Sequence, residues 1–260
     1  MTREEQEQVE QAAQWIAGSR HHVAFTGAGI STGSGLPDFR GPDGVWTRRD
    51  KGLPPLTLGK PMHKVVPNVA HRALVELEAM GKLAFLISQN VDGLHLASGF
   101  PERKLAELHG NTQRMRCLAC DRRYSLQEAR WDRRVWGEGY RTQRVRPGQP
   151  DCAKCHGRLV SSVVNFGDPL PDREIEAAFA HSERADVFFV IGSSLVVAPA
   201  NDMPRVALEE AGARLILLNQ GETPFDAVAD LRLWGDIGAV LPAITERVQA
   251  LLTEAHGVRA

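Results

Sequence analysis

Apolar positions along this chain follow two spacings that alternate from one end to the other. Val9, Ala12, Ala13 and Ile16 recur at helical spacing through residues 3–18 and predict one buried helix face. The run His22-Val23-Ala24-Phe25-Thr26 is continuously apolar and reads as a buried strand. Residues 36–67 lose all periodicity and carry many Pro and Gly, so a long loop with short helices is expected. Helical spacing returns over 67–80, with Ala70, Leu74 and Leu77 as the stripe and Gly81 as the stop. Strands follow at 83–88, 185–191 and 214–218, with short extended pieces over 104–116 and strand character again from Val160 to Val164. Helices are expected at 172–181, near 203–211 and at 237–252. Alternating strands and helices predict an α/β fold, a parallel sheet covered on both faces.

The polar positions change the picture most where they interrupt the first strand. Gly27-Ala28-Gly29-Ile30-Ser31-Thr32-Gly33-Ser34-Gly35 leaves that strand as a glycine-rich turn, which in a Rossmann-like sheet lets backbone approach a diphosphate. An ordinary dinucleotide-binding turn runs into a long helix and reaches a second strand within about thirty residues. Here Pro37-Asp38-Phe39-Arg40 and a Pro/Gly-rich stretch intervene, and the next convincing strand begins near Lys82. Something is inserted over the cofactor where a hydride-transfer enzyme has nothing.

Charge and cysteine usage narrow the class. The net charge is -1 and the hydrophobic fraction 43%, as in an ordinary globular protein. The acidic, polar start does not read as a secretory signal, and Val187–Ile191 is far too short to span a bilayer. A cytoplasmic protein with no membrane association is expected. All four cysteines fall in two Cys-x-x-Cys pairs, Cys117/Cys120 and Cys152/Cys155. In a reducing compartment this favours a closed, structural Zn²⁺ site over disulfides. Two alternatives stand beside it. A thioredoxin-like redox pair needs a motif at a helix start after a strand, and neither pair sits there. Cys152-Ala153-Lys154-Cys155-His156 also fits a haem attachment pattern, which requires export.

Between Gln113 and Val160 there are eleven Arg and one Lys against five Asp or Glu, interleaved with Tyr124, Trp131, Trp136 and Tyr140. This is either a docking surface for an acidic partner or nucleic acid, or a solvated arm whose aromatics form their own small core. Ser88-Gln89-Asn90-Val91-Asp92-Gly93-Leu94-His95 ends the strand at 83–88. The carboxyl ends of parallel strands form the ligand crevice, so this is a recognition cluster or a self-capping turn.

Taken together, Gly-Ala-Gly-Ile-Ser, Pro-Asp-Phe-Arg, Ser-Gln-Asn-Val-Asp-Gly-Leu-His, His109-Gly110 and the paired cysteines resemble the sirtuins, the NAD-dependent protein-lysine deacylases. The resemblance runs from about residue 15 to 250. Phe39-Arg40-Gly41-Pro42-Asp43-Gly44-Val45-Trp46-Thr47 is most similar to the branch with a shortened cofactor loop and a tryptophan, and a compact bacterial-type member is expected rather than a nuclear one with a long basic tail. The implied architecture is a Rossmann-like NAD-binding domain from 1–35, 67–112 and 161–260. A small domain would combine the 36–66 insertion with the zinc module at 113–160.

The resemblance implies that NAD⁺ is consumed: the acyl oxygen of a lysine amide attacks the ribose as nicotinamide leaves. A base must then activate a ribose hydroxyl, and His109 is the candidate, since histidine titrates near neutral pH. Asn90 would position the ribose or a water, Gln89 would contact the ribose, and Asp92 would hold the nicotinamide carboxamide. Ser31 would brace that cluster. Gly27, Ala28 and Gly29 would give close backbone approach, Thr32 would bond a phosphate, and Arg40 would balance the diphosphate. Phe39 would cover the ribose and exclude water. Trp46 would close the lid or anchor a short loop; Asp38 would cap a turn or touch ligand. Gly192, Ser193, Ser194, Asn219, Gly221 and Ile237 would take the adenosine half. Val164, Asn165, Phe166 and Gly167 would sandwich an acyl-lysine peptide against Leu195 and Val196 as an added strand. His95 would orient its own loop, His156 would be a surface neighbour of the metal, and His21, His22, His63, His71, His181 and His256 are read as structural. Two other activities compete: protein ADP-ribosyl transfer sharing the first step, and non-catalytic NAD sensing.

Overall fold

A capping box starts helix α1 (Arg3–Gly18): Thr2 Oγ1 accepts from Glu5 N, and Glu5 Oε2 accepts from Thr2 N. Its buried face is Val9, Ala12, Ala13 and Ile16, as the spacing predicts. The computed structural model describes residues 1–56 and 64–257. Residues 57–63 of the expected insertion, His63 among them, and the side chain of His256 lie outside the described residues.

Strand β1 (His22–Thr26) is buried throughout and leads into a 3₁₀ helix, Ala28–Ser34, where a dehydrogenase-like turn would start a long α-helix. The insertion carries α2 (Val45–Asp50). Then follow α3 (Val69–Ala79), β2 (Phe85–Ser88), α4 (Leu94–Ala97) and β3 (Leu105–Glu107). The chain next builds β4 (Arg114–Cys117), β5 (Arg123–Ser125), α5 (Arg133–Trp136) and β6 (Leu159–Ser161). It closes with α6 (Asp172–Ser182), β7 (Val187–Ile191), α7 (Asp202–Glu209), β8 (Arg214–Leu218), β9 (Leu231–Leu233) and α8 (Ile237–Gly257).

Six strands form one wholly parallel sheet in the order β3-β2-β1-β7-β8-β9. Alternate side chains of each strand face opposite layers. Ala24 joins a core with α1, α3 and α8, while Val23 and Phe25 join a second core with α6 and α7. Three strands form a separate antiparallel sheet, β5-β4-β6, over a small core of Met115, Tyr124, Trp131 and Leu159.

Three expectations change. The extended pieces at 104–116 divide between the two sheets. The strand expected at 160–164 is Leu159–Ser161, and it pairs with β4 in the small sheet. It stops there because Ser162 turns to Asn111, its hydroxyl accepting from Asn111 N at 3.0 Å and donating to Asn111 O at 2.8 Å. β9 has no counterpart among the expected elements: three residues, Leu-Arg-Leu, are too few to show a period.

Candidate active site

With this strand order the chain winds away from β1 in both directions, and the loops leaving β1 and β7 part to open a crevice at the carboxyl edge. Gly27–Thr32 leave β1, Gln89–Asp92 leave β2, His109 follows β3, Gly192–Ser194 leave β7, and Asn219 and Gly221 leave β8. Parallel register brings these segments to one edge.

The glycines there fit one another. A Cβ on Gly27 would lie 2.6 Å from Gly192 O, and one on Gly29 would lie 2.7 Å from Gly192 Cα. Gly192 has φ +66°, and its own Cβ would meet Ile30 N at 2.6 Å. Gly29 N donates to Gly192 O at 2.9 Å. The expected free backbone approach to a diphosphate therefore needs correcting for Gly29: its N–H is already committed. Thr32 likewise donates its hydroxyl to Gly29 O at 2.9 Å rather than outward.

The amide cluster is built as a network. Asp92 accepts from Ser31 Oγ at 2.7 Å and from Leu94 N at 2.9 Å. Asn90 is buried and donates from Nδ2 to Gly27 O at 3.1 Å and to Ser31 Oγ at 3.4 Å. Ser31 thus joins the turn after β1 to the loop after β2. Burial pushes the Asp92 carboxyl above its ordinary pKa, against the pull of its two donors. Gln89 Oε1 accepts from Ser193 Oγ at 2.7 Å, tying β2 to the loop after β7. His95 is buried, with Nε2 at 2.9 Å from Thr26 Oγ1.

His109 Nδ1 lies 2.9 Å from Gln89 O. A carbonyl only accepts, so Nδ1 carries the hydrogen and Nε2 keeps its lone pair. Desolvation lowers the His109 pKa below its ordinary value, opposed by the Gln89 hydrogen bond. The imidazole is therefore neutral at pH 7 and competent as a base. Gly110 (φ +78°) packs against the backbone of Ser162, where no side chain fits.

Beneath His109 is a buried charge cluster that spacing does not reveal. Glu107 accepts from Asn111 Nδ2 at 2.7 Å, and Arg123 of β5 reaches both Glu107 at 3.5 Å and Glu174 of α6 at 2.5 Å. Burial raises Glu107 to about 7 despite the Asn111 hydrogen bond and the Arg123 charge.

Over the crevice, Trp46 stacks on Phe39 (centroids 5.8 Å) and meets Phe166 (6.4 Å), with Arg49 4.5 Å from its ring. The insertion and the segment after β6 are joined through these rings. Asp38 caps a turn, accepting from Gly41 N at 2.9 Å. Arg40 is exposed and has no ion pair among the described residues.

Phe166 is 85% exposed, Val196 is exposed and Leu195 is buried at φ +54°. Val164 N donates to His109 O at 2.9 Å, while Asn165 turns back on Asp168. Neither 164–167 nor 195–196 is itself a strand. At the far end Asn219 Nδ2 donates to Gly221 O at 2.8 Å, and Ser194 is half-buried. Ile237 packs its side chain into the core at the start of α8.

The four cysteine sulfurs lie within 4.8 Å of one another, with Cys117–Cys155 at 3.5 Å and Cys120–Cys152 at 3.7 Å. Zinc bonded to sulfur at ~2.3 Å in a tetrahedron requires sulfur separations of about 3.8 Å, so the four fit the ion. Tyr124 OH lies 3.0 Å from Cys152 Sγ, while exposed His156 pairs with Asp151 instead. In the surrounding module five arginines meet carboxylates: Arg114–Glu102, Arg116–Asp121, Arg123 with Glu107 and Glu174, Arg133–Glu138 and Arg134–Asp132. Tyr124 and Trp131 are buried in its small core.

Among the described residues, no helix is long and apolar enough to cross a membrane. A model of the Sir2 family matches residues 55–199. The NAD-dependent protein deacetylase 1 of Pyrobaculum aerophilum is 39% identical over 262 residues, covering 95% of this chain and 97% of its own. The NAD-dependent protein deacetylase SRT1 of Oryza sativa subsp. indica is 42% identical over 238 residues. That match covers 91% of this chain but 47% of the plant protein, so the chain spans about half its length. A solved Sir2-p53 peptide-NAD+ complex matches with TM-score 0.65 at 32% identity, over 94% of this chain and 96% of that one.

Proposed function

The chain belongs to the Sir2 family, and we propose that it removes acyl groups from protein lysines, consuming NAD⁺, releasing nicotinamide and passing the acyl group to ADP-ribose. The observation that carries this reading is His109. Its Nδ1 is committed to Gln89 O, which leaves Nε2 unprotonated and without a partner among the described residues. A binding protein that only sensed NAD⁺ has no need of such a base.

NAD⁺ supplies an electrophilic ribose carbon, to which the acyl oxygen of the lysine amide bonds as nicotinamide departs. Asp92, held by Ser31 and Leu94 N, accepts the carboxamide NH₂ of the nicotinamide. Asn90 and Gln89 orient the adjoining ribose. His109, neutral at pH 7, takes the proton from a ribose hydroxyl so that the hydroxyl can attack the acyl carbon. Arg40 balances the diphosphate, and Phe39 and Trp46 keep water from the reacting carbon. Ser194 and Asn219 bond the adenosine ribose. The peptide lies between Val164–Gly167 and Leu195–Val196, held by backbone bonds, so selectivity for its sequence is loose. The metal holds the small sheet together and takes no part in the chemistry.

Two finer points belong to this reading. Placement in the branch with a shortened cofactor loop rests on residues 39–47. Docking of an acidic partner or nucleic acid at the zinc module would fall to arginines without carboxylate partners among the described residues, such as Arg122, Arg130, Arg141, Arg144 and Arg146. The all-thiol cysteine usage suits a cytoplasmic setting.

The test is His109→Ala with a panel of acyl-lysine peptides, read by mass spectrometry. NAD⁺ binding is retained and deacylation falls about 10²- to 10⁴-fold, the usual contribution of a general base. Turnover like the wild type would sink the assignment. Protein-bound ADP-ribose in place of acyl-ADP-ribose would identify a transferase, and absence of nicotinamide release would identify a sensor.

A further inference from the structure

We propose that Arg232 is the positioning residue of the adenosine end of the cofactor site: its guanidinium fixes the loop that receives that half of NAD⁺. The proposal rests on the reading of Asn219 and Gly221 as adenosine contacts.

Arg232 lies on β9, the edge strand, one register step from where the chain leaves β8 at Leu218. Its side chain is 12% exposed and uses all three nitrogens. Nη1 donates to Asn219 O at 2.7 Å and to Leu233 O at 2.6 Å. Nη2 donates to Gly221 O at 2.7 Å, and Nε donates to Asp226 Oδ1 at 3.0 Å. Asp226 in turn accepts from Thr223 N at 3.1 Å and from Thr223 Oγ1 at 2.7 Å. Trp234, itself half exposed, covers the guanidinium with its ring centroid 3.5 Å away.

One side chain therefore holds the loop at 219, 221 and 226. Two of the three carbonyls it binds, those of Asn219 and Gly221, belong to the residues assigned to adenosine; the third is Leu233 O. The Asn219 side chain depends on the same anchor, because its Nδ2 donates to Gly221 O, which Arg232 also holds. The loop has no regular structure of its own until Asp226 pairs back toward Arg232. A planar, forked cation is the side chain that can meet carbonyls and a carboxylate in several directions at once; a lysine ammonium is a single point on a flexible stem.

None of these contacts involves the nicotinamide end, where Asp92, Asn90 and His109 stand. Loss of Arg232 is therefore expected in affinity for NAD⁺ and not in the chemical step.

The experiment uses Arg232→Lys and Arg232→Gln in the full chain, with thermal melts to confirm folding. ADP-ribose binding is measured by calorimetry, and KM and kcat by deacylation of an acetyl-lysine peptide. The expected result is ADP-ribose Kd and NAD⁺ KM raised about tenfold, as the Asn219 and Gly221 carbonyls lose their shared donor and release the loop, with kcat and peptide KM within about twofold of the wild type. Folded variants with unchanged ADP-ribose Kd, or with kcat lowered at constant KM, would overturn it. Should neither variant fold, Asp226→Asn keeps the carbonyl bonds and removes only the charged arm. A rise in ADP-ribose Kd for that variant supports the proposal and an unchanged Kd overturns it. Calorimetry with ADP-ribose requires no turnover, so failure of the deacylase reading would show separately, as a wild-type protein that binds ADP-ribose but leaves the peptide acylated.

Discussion

Arg123→Met tests the buried charge cluster next to His109 in the chain. Arg123 is 14% exposed between Glu107 (4%) and Glu174 (10%), and it is the link from the small antiparallel sheet to β3 and α6. Methionine keeps the volume and apolar stem but leaves two buried carboxylates without their cation. Breaking a buried ion pair from one side costs about 3–5 kcal/mol, a large share of an ordinary domain's stability.

The cost depends on pH, in a direction set by Glu107. Its folded pKa, about 7, stands above the unfolded value of 4.5 because burial penalises the charge. Between these values the folded state holds more protons than the unfolded one, so stability falls as pH rises through that window. The shift corresponds to on the order of 3 kcal/mol in all. Arg123 pulls the Glu107 pKa down, so its removal extends the falling window to higher pH. The variant goes on losing stability above pH 7, where the wild type levels off.

Urea unfolding with zinc retained, followed by tryptophan fluorescence, measures both effects. The destabilisation is expected to be larger at about pH 8.5 than at about pH 6, by on the order of 1–2 kcal/mol. Equal losses at the two pH values, or a loss below about 1 kcal/mol of the kind exposed pairs show, would refute the reasoning. Glu107→Gln in the Arg123→Met background is expected to recover most of the stability at the higher pH.

Chelation of the metal, or Cys152→Ser, is expected to lower the melting temperature and dissolve the small sheet; an apoprotein of unchanged Tm that is merely slower would contradict a structural role. Gly192→Ala puts a methyl group against Ile30 N at φ +66°, and a loss of about 2–3 kcal/mol in urea titration is expected; a neutral result would mean the close approach of the two loops is not needed. Trp46→Ala removes the ring between Phe39 and Phe166. The ratio of nicotinamide released to acyl-ADP-ribose formed is expected to rise as water reaches the reacting carbon, and a ratio fixed at one would remove Trp46 from the lid. With His109 below its ordinary pKa, kcat/KM for the peptide is expected to rise with pH through that lowered value and be level at pH 7 and above; a continued rise with an inflection above 7 would point to another base.

Elements with a period or a continuous apolar run are legible in the sequence. The stripe of α1, the four-residue β2 and the runs of β7 and β8 all lie where spacing puts them. The cysteine quartet is legible for a different reason: metal ligands carry their own spacing rule. What escapes has neither kind of signal. β9 is an arginine between two leucines, and nothing local distinguishes it from a loop. Arg123 sits in a polar stretch among many other arginines, and Arg232 is a lone arginine in an apolar one. Their importance comes from burial and from partners sixteen and fifty-one residues away (Glu107 and Glu174) or across a loop (Asn219 and Gly221), which only the fold brings near.

The glycine turn shows how a correct position can rest on an incomplete reason. Backbone approach to a diphosphate predicts glycines after the first strand, and they are there. Yet Gly27 and Gly29 face Gly192, and Gly29 N spends its hydrogen bond on Gly192 O. The loops after β1 and β7 need each other's glycines in order to meet at the point where the sheet's winding reverses. With Gly29 N committed in this way, the proposed reading puts more of the recognition on side chains: Asp92 and Asn90 at one end, exposed Arg40 for the diphosphate, and Asn219 on its Arg232 anchor at the other. On the proposed reading, such a site would grip NAD⁺ at both ends and leave the bond between nicotinamide and ribose to a neutral histidine. That arrangement suits cleavage of NAD⁺ better than exchange of a hydride with it.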